Sequence, residues 1–196
     1  MKRFFVFCLS FWVFNTFGQR SSGGISWNIS NTTGSTKSFI DKTSFSGGSL
    51  DFTYYPVNNL GFFIEGGVNY FSQKIERATY IESSISITGV QFRELMNIPI
   101  FIGAQFDFLP ESIINPYCNL GFGTMYQRGT ITMGLFIIDE DLWQFAYKPE
   151  AGLKIMFNEN LSGKLGAKYI RTFESGGLES QSFWALNFGL AFEVEY

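Results

Sequence analysis

Glu65, Lys148, Glu150, Lys164, Lys168 and Glu193 each stand between apolar or small neighbours, in stretches where polar and apolar residues alternate. A strand with that pattern sends its charges to one side. There, carboxylates and ammoniums can pair to fill and stiffen an interior, or pass protons along it. Filling is the preferred reading, because an interior enclosed by eight strands is only just wide enough for side chains. Other chemistry is sparse. Asp139-Glu140-Asp141 offers the oxygen ligands calcium takes, but three acids in a loop read more simply as a solvated tip. Gly121-Phe122-Gly123 lacks the third glycine and the helix of a nucleotide loop, so it reads as interior packing. Histidine is absent, which removes Ser-His-Asp and Cys-His nucleophiles, His-ligated zinc and the usual proton shuttle. No Ser-Lys pair is visibly positioned. The sequence therefore assigns no catalytic residue, cofactor or metal.

The elements that would position these charges follow from composition. The 196 residues are 19% aromatic and only 16% charged, against about 25% charged in ordinary soluble domains. Lys2 and Arg3 precede an apolar run over 4–14, and Thr16 and Gly18 are the small residues a signal peptidase reads. Residues 1–18 are expected to be a signal peptide cleaved before Gln19, since the run falls short of the roughly 18 apolar residues of a spanning helix. The mature chain then has 12 basic against 17 acidic residues, a net charge of -5. Nucleic acid is not an expected partner. Cys118 is its single cysteine, so an intrachain disulfide is impossible.

Alternation supplies the fold. Trp184, Leu186, Phe188, Leu190, Phe192, Val194 and Tyr196 share one face, while Ala185, Asn187, Gly189, Ala191, Glu193 and Glu195 share the other. Similar stretches recur around 25–30, 49–54, 61–70, 96–108, 118–123, 144–157 and 164–169. Eight strands with a bulky apolar face and a small or polar face predict an all-β, eight-stranded antiparallel up-and-down transmembrane β-barrel over 19–196, with no second domain. Short turns fall at 56–59, 109–115 and 158–160, and longer loops at 31–44, 72–84, 139–141 and 174–181. Folding the 158–160 hairpin with Phe157 opposite Leu161 places Glu150 opposite Lys168 and Leu153 opposite Leu165. Pro99 and Pro149 fall inside strands and predict a bulge or a ladder gap at each. Arg93 and Glu94 are adjacent and point to opposite faces, so both are expected above the membrane. Tyr54, Phe108, Tyr117, Phe157 and Tyr196 form one expected interface belt; Tyr70, Tyr126, Trp143, Phe173 and Trp184 form the other.

Phe17-Gly18-Gln19, Gly23-Gly24-Ile25-Ser26-Trp27-Asn28, the central Glu94-Leu95-Met96-Asn97-Ile98-Pro99-Ile100 running to Phe106-Asp107-Phe108, then Pro116-Tyr117 and Asn119-Leu120-Gly121-Phe122-Gly123 resemble the PorT-like outer-membrane β-barrel proteins of Bacteroidota. The resemblance implies an eight-stranded barrel, makes Pro99 a family feature, carries over no active site and suggests an accessory role in protein secretion. The last strand looks like the signal read by the barrel-assembly machinery, through Asn187, Gly189, Phe192, Val194 and Tyr196. Expected partners are outer-membrane lipid, that machinery and a protein met by the surface loops. Outer-membrane enzymes that need a catalytic histidine are excluded in their usual form. The competing readings are a narrow pore and a soluble periplasmic lipocalin-like carrier of apolar ligands. Against the carrier, Gly24 and Trp27 are one residue too far apart for the carriers' Gly-x-Trp.

Overall fold

A computed structural model describes residues 20–82, 85–134, 136–175 and 179–195. The expected signal peptide and Tyr196 lie outside the described residues. The chain forms β1 (Arg20–Thr33), a helical turn α1 (Gly34–Phe39), β2 (Thr43–Val57), β3 (Leu60–Glu82), β4 (Ile85–Asp107), β5 (Ile114–Met133), β6 (Phe136–Asn158), β7 (Leu161–Thr172) and β8 (Ser182–Glu195). Each strand pairs antiparallel with the next, and β1 pairs with β8 from Arg20↔Glu195 to Thr33↔Ser182, so the sheet closes as an eight-stranded barrel.

Period-two alternation decides which side chains face out. On β4, Ile100, Ile102 and Phe106 are exposed, while Asn97, Phe101, Gln105 and Asp107 are buried inside. The same inversion holds on β8, where Trp184, Leu186, Phe188, Leu190, Phe192 and Val194 are exposed and Ala185, Asn187, Ala191 and Glu193 are buried. An apolar exterior around a polar interior is opposite to a soluble carrier of apolar ligands, which keeps its apolar face inside. Outward rings meet in pairs on the barrel wall, among them Tyr126 with Trp143 at 5.3 Å and Tyr169 with Trp184 at 4.8 Å between centroids.

The prolines resolve into specific defects. Between β3 and β4 the ladder runs to Gly66↔Ile100 and resumes at Asn69↔Asn97 in the same register, leaving a gap at Pro99. Between β6 and β7 it skips from Tyr147↔Arg171 to Glu150↔Lys168, again without a shift, at Pro149. Each ring lacks the donor its neighbour needs, and the barrel answers with an unpaired step rather than an extra residue. Pro56 lies where the β2–β3 register does shift, between Tyr54 and Val57. In the β6–β7 hairpin, Glu150↔Lys168 and Leu153↔Leu165 pair as the sequence reading places them. At the tip, Asn158 pairs with Leu161, so Phe157 is displaced from the expected partner by a local irregularity after Met156.

Two expected loops are strand. Residues 72–82 and 139–141 lie in ladders, and β3, β4 and β6 are each 23 residues long. A membrane strand needs about 9–11 residues. The ladders of β3, β4, β5 and β6 therefore continue beyond the apolar band as a four-stranded sheet, through Gln91↔Met133 and Met133↔Phe136. Polar composition disguised these segments, since backbone pairing continues whichever side chains it carries. Residues 31–44 are also only partly loop, because β1 runs to Thr33 and α1 follows.

Ile102 sits midway along the outward apolar face of β4, between Ile64 and Phe122 on its neighbours. Ile102→Lys should cost about 2–4 kcal/mol in phospholipid vesicles, the range for a lysine at the bilayer midplane. Chemical unfolding of the reconstituted protein measures it, and a negligible loss would mean that this face does not meet lipid.

Candidate functional site

The interior of an eight-stranded barrel is just wide enough for side chains to fill, so residues from opposite walls must meet. Near the short-turn end, Arg20 from β1 binds Asp107 of β4 at 3.0 Å and Glu193 of β8 at 3.2 Å. Lys154 of β6 reaches the same Asp107 at 2.9 Å and the Tyr55 hydroxyl at 2.6 Å. Gln105 donates to Tyr55 at 2.7 Å and to Asp107 at 2.8 Å.

One layer further in, Lys148 donates to Glu65 across the lumen and to Glu150 at 2.9 Å. Lys168 donates to the other Glu65 oxygen at 2.8 Å and to Ser49 at 3.2 Å. Lys164 pairs with Asp51 at 3.1 Å. Glu150 accepts from Tyr117 at 2.7 Å and from Asn187 at 2.8 Å, which satisfies the lone pairs the lysines leave. The Tyr117 ring fits because residues 152 and 166 are glycine. A methyl group on Gly152 would stand 2.8 Å from that ring and 2.4 Å from the Leu165 carbonyl oxygen.

All six charges singled out from the sequence line this interior, but they do not form one closed set. Glu150 and Lys168 face each other in register, while the Lys168 ammonium turns to Glu65 instead. Glu193 belongs to the Arg20 layer. Arg20, Asp51, Asp107, Lys154, Tyr55 and Tyr117 were missed as members of the network. The alternation that marked Glu65 also marks Asp51 between Leu50 and Phe52 and Asp107 between Phe106 and Phe108. Tyr117, expected in an interface belt, is buried inside, because its strand phase matches Asn115 and Asn119. Of the residues expected to guide assembly, Phe192 and Val194 face outward, and Asn187 is tied to Glu150.

Above the charges the lumen turns apolar. Phe71, Leu95, Met125, Ala146, Ile170 and Phe183 pack with Ile40 into a buried plug. Helical turn α1 folds over it: Thr32 donates to the Ile40 carbonyl at 2.6 Å, and the Ser182 amide donates to the Thr36 hydroxyl at 2.7 Å. Arg93 points into the mouth and donates to the Phe39 carbonyl at 2.8 Å. Beyond it lies a cleft of about 360 Å³, bounded by α1, the inner side of the tall sheet, and Glu179 and Gln181 of the β7–β8 connection.

On the sheet itself, alternation sends Asp139 and Asp141 to one face and Glu140 to the other, so the three acids do not converge. Asp139 is held by Thr130 at 2.6 Å and Arg128 at 3.1 Å. That hydroxyl and the guanidinium keep its carboxyl below the usual range. Among the described residues, no group of three or more metal-binding side chains is assembled.

The family model described as outer membrane protein beta-barrel domain matches residues 13–193. No curated protein matches the chain. Among solved structures, Neisserial surface protein A (NspA) aligns with a TM-score of 0.57 at 13% identity, over 90% of this chain and 98% of the other. OprG from Pseudomonas aeruginosa aligns at 0.53 and 11%, over 90% and 95%. Ail, the attachment invasion locus protein of Yersinia pestis, aligns at 0.52 and 14%, over 90% and 98%. At these identities the likeness is one of fold.

Lys148→Met strips a buried cation from two carboxylates at once and should cost about 3–5 kcal/mol, as expected when one partner of a buried pair is removed. Adding Glu150→Gln should recover part of that loss. Urea unfolding in vesicles of the two single variants and the double variant checks both statements, and strict additivity would mean that the two groups do not interact.

Proposed function

The chain belongs to the outer membrane protein beta-barrel domain family, and from that premise we propose that it is a non-catalytic barrel whose tall sheet engages a partner at the cell surface. The observation that carries this reading is the exposure of Phe136, Ile137 and Ile138 on the β5–β6 hairpin, above the apolar band. Phe136 and Ile138 share the face toward the mouth and Ile137 takes the other, and apolar side chains exposed outside both core and bilayer mark contact surfaces. Longer extensions of such barrels face the exterior and short turns face the periplasm, which assigns the hairpin to the outside of the cell.

In this reading residues 1–18 are the export signal and residues 19–196 the mature barrel. The last strand guides assembly through Asn187, Gly189, Phe192, Val194 and Tyr196, recognised by the barrel-assembly machinery. The lumen network of Glu65, Lys148, Glu150, Lys164, Lys168 and Glu193 has a structural role. Membership of the PorT-like group, with a part in protein secretion, is the finer reading supported by the Ile98-Pro99 motif. A pore is disfavoured, because paired charges and the apolar plug occupy successive layers of the interior.

Replacing residues 130–139 with Asn-Gly joins Gly129 to Glu140, which are already paired, and so shortens the hairpin without changing register. Purified from native membranes in mild detergent, wild type should bring a protein partner that the shortened form loses, while both keep heat-modifiable migration in gels. Unchanged co-purification would overturn the reading. In planar bilayers neither form should show steady conductance.

A further inference from the structure

The ladder between β6 and β7 ends at Ala146↔Thr172, ten residues short of the start of β6 at Phe136. Phe173 adds one bond, donating to the Phe145 carbonyl at 2.8 Å. Over 137–142, β5 supplies the one ladder recorded among the described residues, so the other edge of β6 presents backbone donors and acceptors sideways. Exposed edges of this kind accept a further strand, with main-chain bonds giving affinity and pockets for alternate side chains giving specificity.

Both faces of the edge carry instructions. On one lie Asp139 and Asp141. The other borders the mouth cleft, which Ile138 and Glu140 line together with Glu179 and Gln181. The Gln181 carboxamide oxygen is buried there without a hydrogen-bond partner among the described residues. Carboxylates and a free acceptor beside Ile131, Ile138 and Phe39 suit a long cationic side chain with an aliphatic stem. The cleft's own cation, Arg93, is already held by the Phe39 carbonyl and by Gln91 at 3.2 Å. A second copy of this chain is a poor occupant, because pairing the two β6 edges antiparallel brings Asp139, Glu140 and Asp141 against the same acids, and like charges directly opposite destabilise a ladder.

We infer that the β6 edge over 137–142 takes up an extended segment of a partner protein as an added strand, with Lys or Arg at alternate positions entering the acidic cleft. This rests on the surface-contact reading above and names the chemistry of the partner.

The test uses the full barrel in phospholipid nanodiscs and an acetylated, amidated (Val-Lys)₄ octapeptide. The octapeptide should bind and slow amide hydrogen exchange over 137–142. Binding should weaken at least tenfold for Glu140→Lys, and for a peptide N-methylated at every second residue, which needs no protein variant. A (Val-Glu)₄ peptide should not bind. Equal binding of the acidic or N-methylated peptide, no binding of the basic one, or protection elsewhere would each overturn the inference. If the native partner is still lost on shortening the hairpin while these peptides fail, the surface-contact reading stands and the added-strand inference falls.

Discussion

Charge balance in a closed, narrow interior is the constraint on which the rest of this protein depends. Arg20, Lys148, Lys154, Lys164 and Lys168 meet Asp51, Glu65, Asp107, Glu150 and Glu193, five cations with five anions. Removed from water, each of these charges is tolerable only with a partner and additional hydrogen bonds. Most of the cations come from β6 and β7 and most of the anions from β2, β3 and β4. Five of the seven pairs span the cylinder between strands that share no ladder, while Arg20–Glu193 links the paired β1 and β8 and Lys148–Glu150 lies within β6. Glycines beneath the Phe63 and Tyr117 rings follow from the same crowding, because each ring lies over the next two strands, where Gly103 and Gly121, or Gly152 and Gly166, leave it room.

The lumen is thus divided between an ionic lower part and an apolar upper part sealed by α1. Such an interior is filled by its own side chains and leaves little room for a ligand. What remains available for recognition stands outside the cylinder, on the sheet continued by β3 to β6 and in the cleft between that sheet and α1. The division explains how chemistry can be so sparse in a chain with so many buried polar groups. Most of those groups are occupied with each other, the Asn97 carboxamide being an exception among the described residues.

Much of the fold was legible because a barrel wall is the simplest pattern a sequence can carry. Leu186, Phe188 and Leu190 alternate with Ala185, Asn187 and Gly189, and that phase determines inside and outside without tertiary knowledge. The partners of the charges were less legible. Lys168 lies opposite Glu150 in register and still binds Glu65 on another wall, since a lysine stem spans the lumen more readily than it bends toward a cross-strand neighbour. The plug was hidden for a different reason. Phe71, Leu95 and Phe183 are apolar residues in the inward phase of strands whose outward phase is apolar too, so the contrast that reveals a face disappears. The tall sheet was misread as loop because Ser72, Gln73, Lys74 and Glu76 resemble loop composition, although strands beyond the bilayer have no need of apolar side chains.

The way α1 is seated bears on the order of events in folding. It leaves the end of β1 and is fastened to Ser182 at the start of β8, strands separated by almost the whole chain. Pairing over that separation carries the largest loop-closure entropy in the molecule. Until β8 is in place, the helical turn lacks its bond to Ser182 and the plug lacks Phe183. Sealing the mouth and closing the cylinder are then a single cooperative step, and an assembly intermediate with seven joined strands would still be open to water from the outer side.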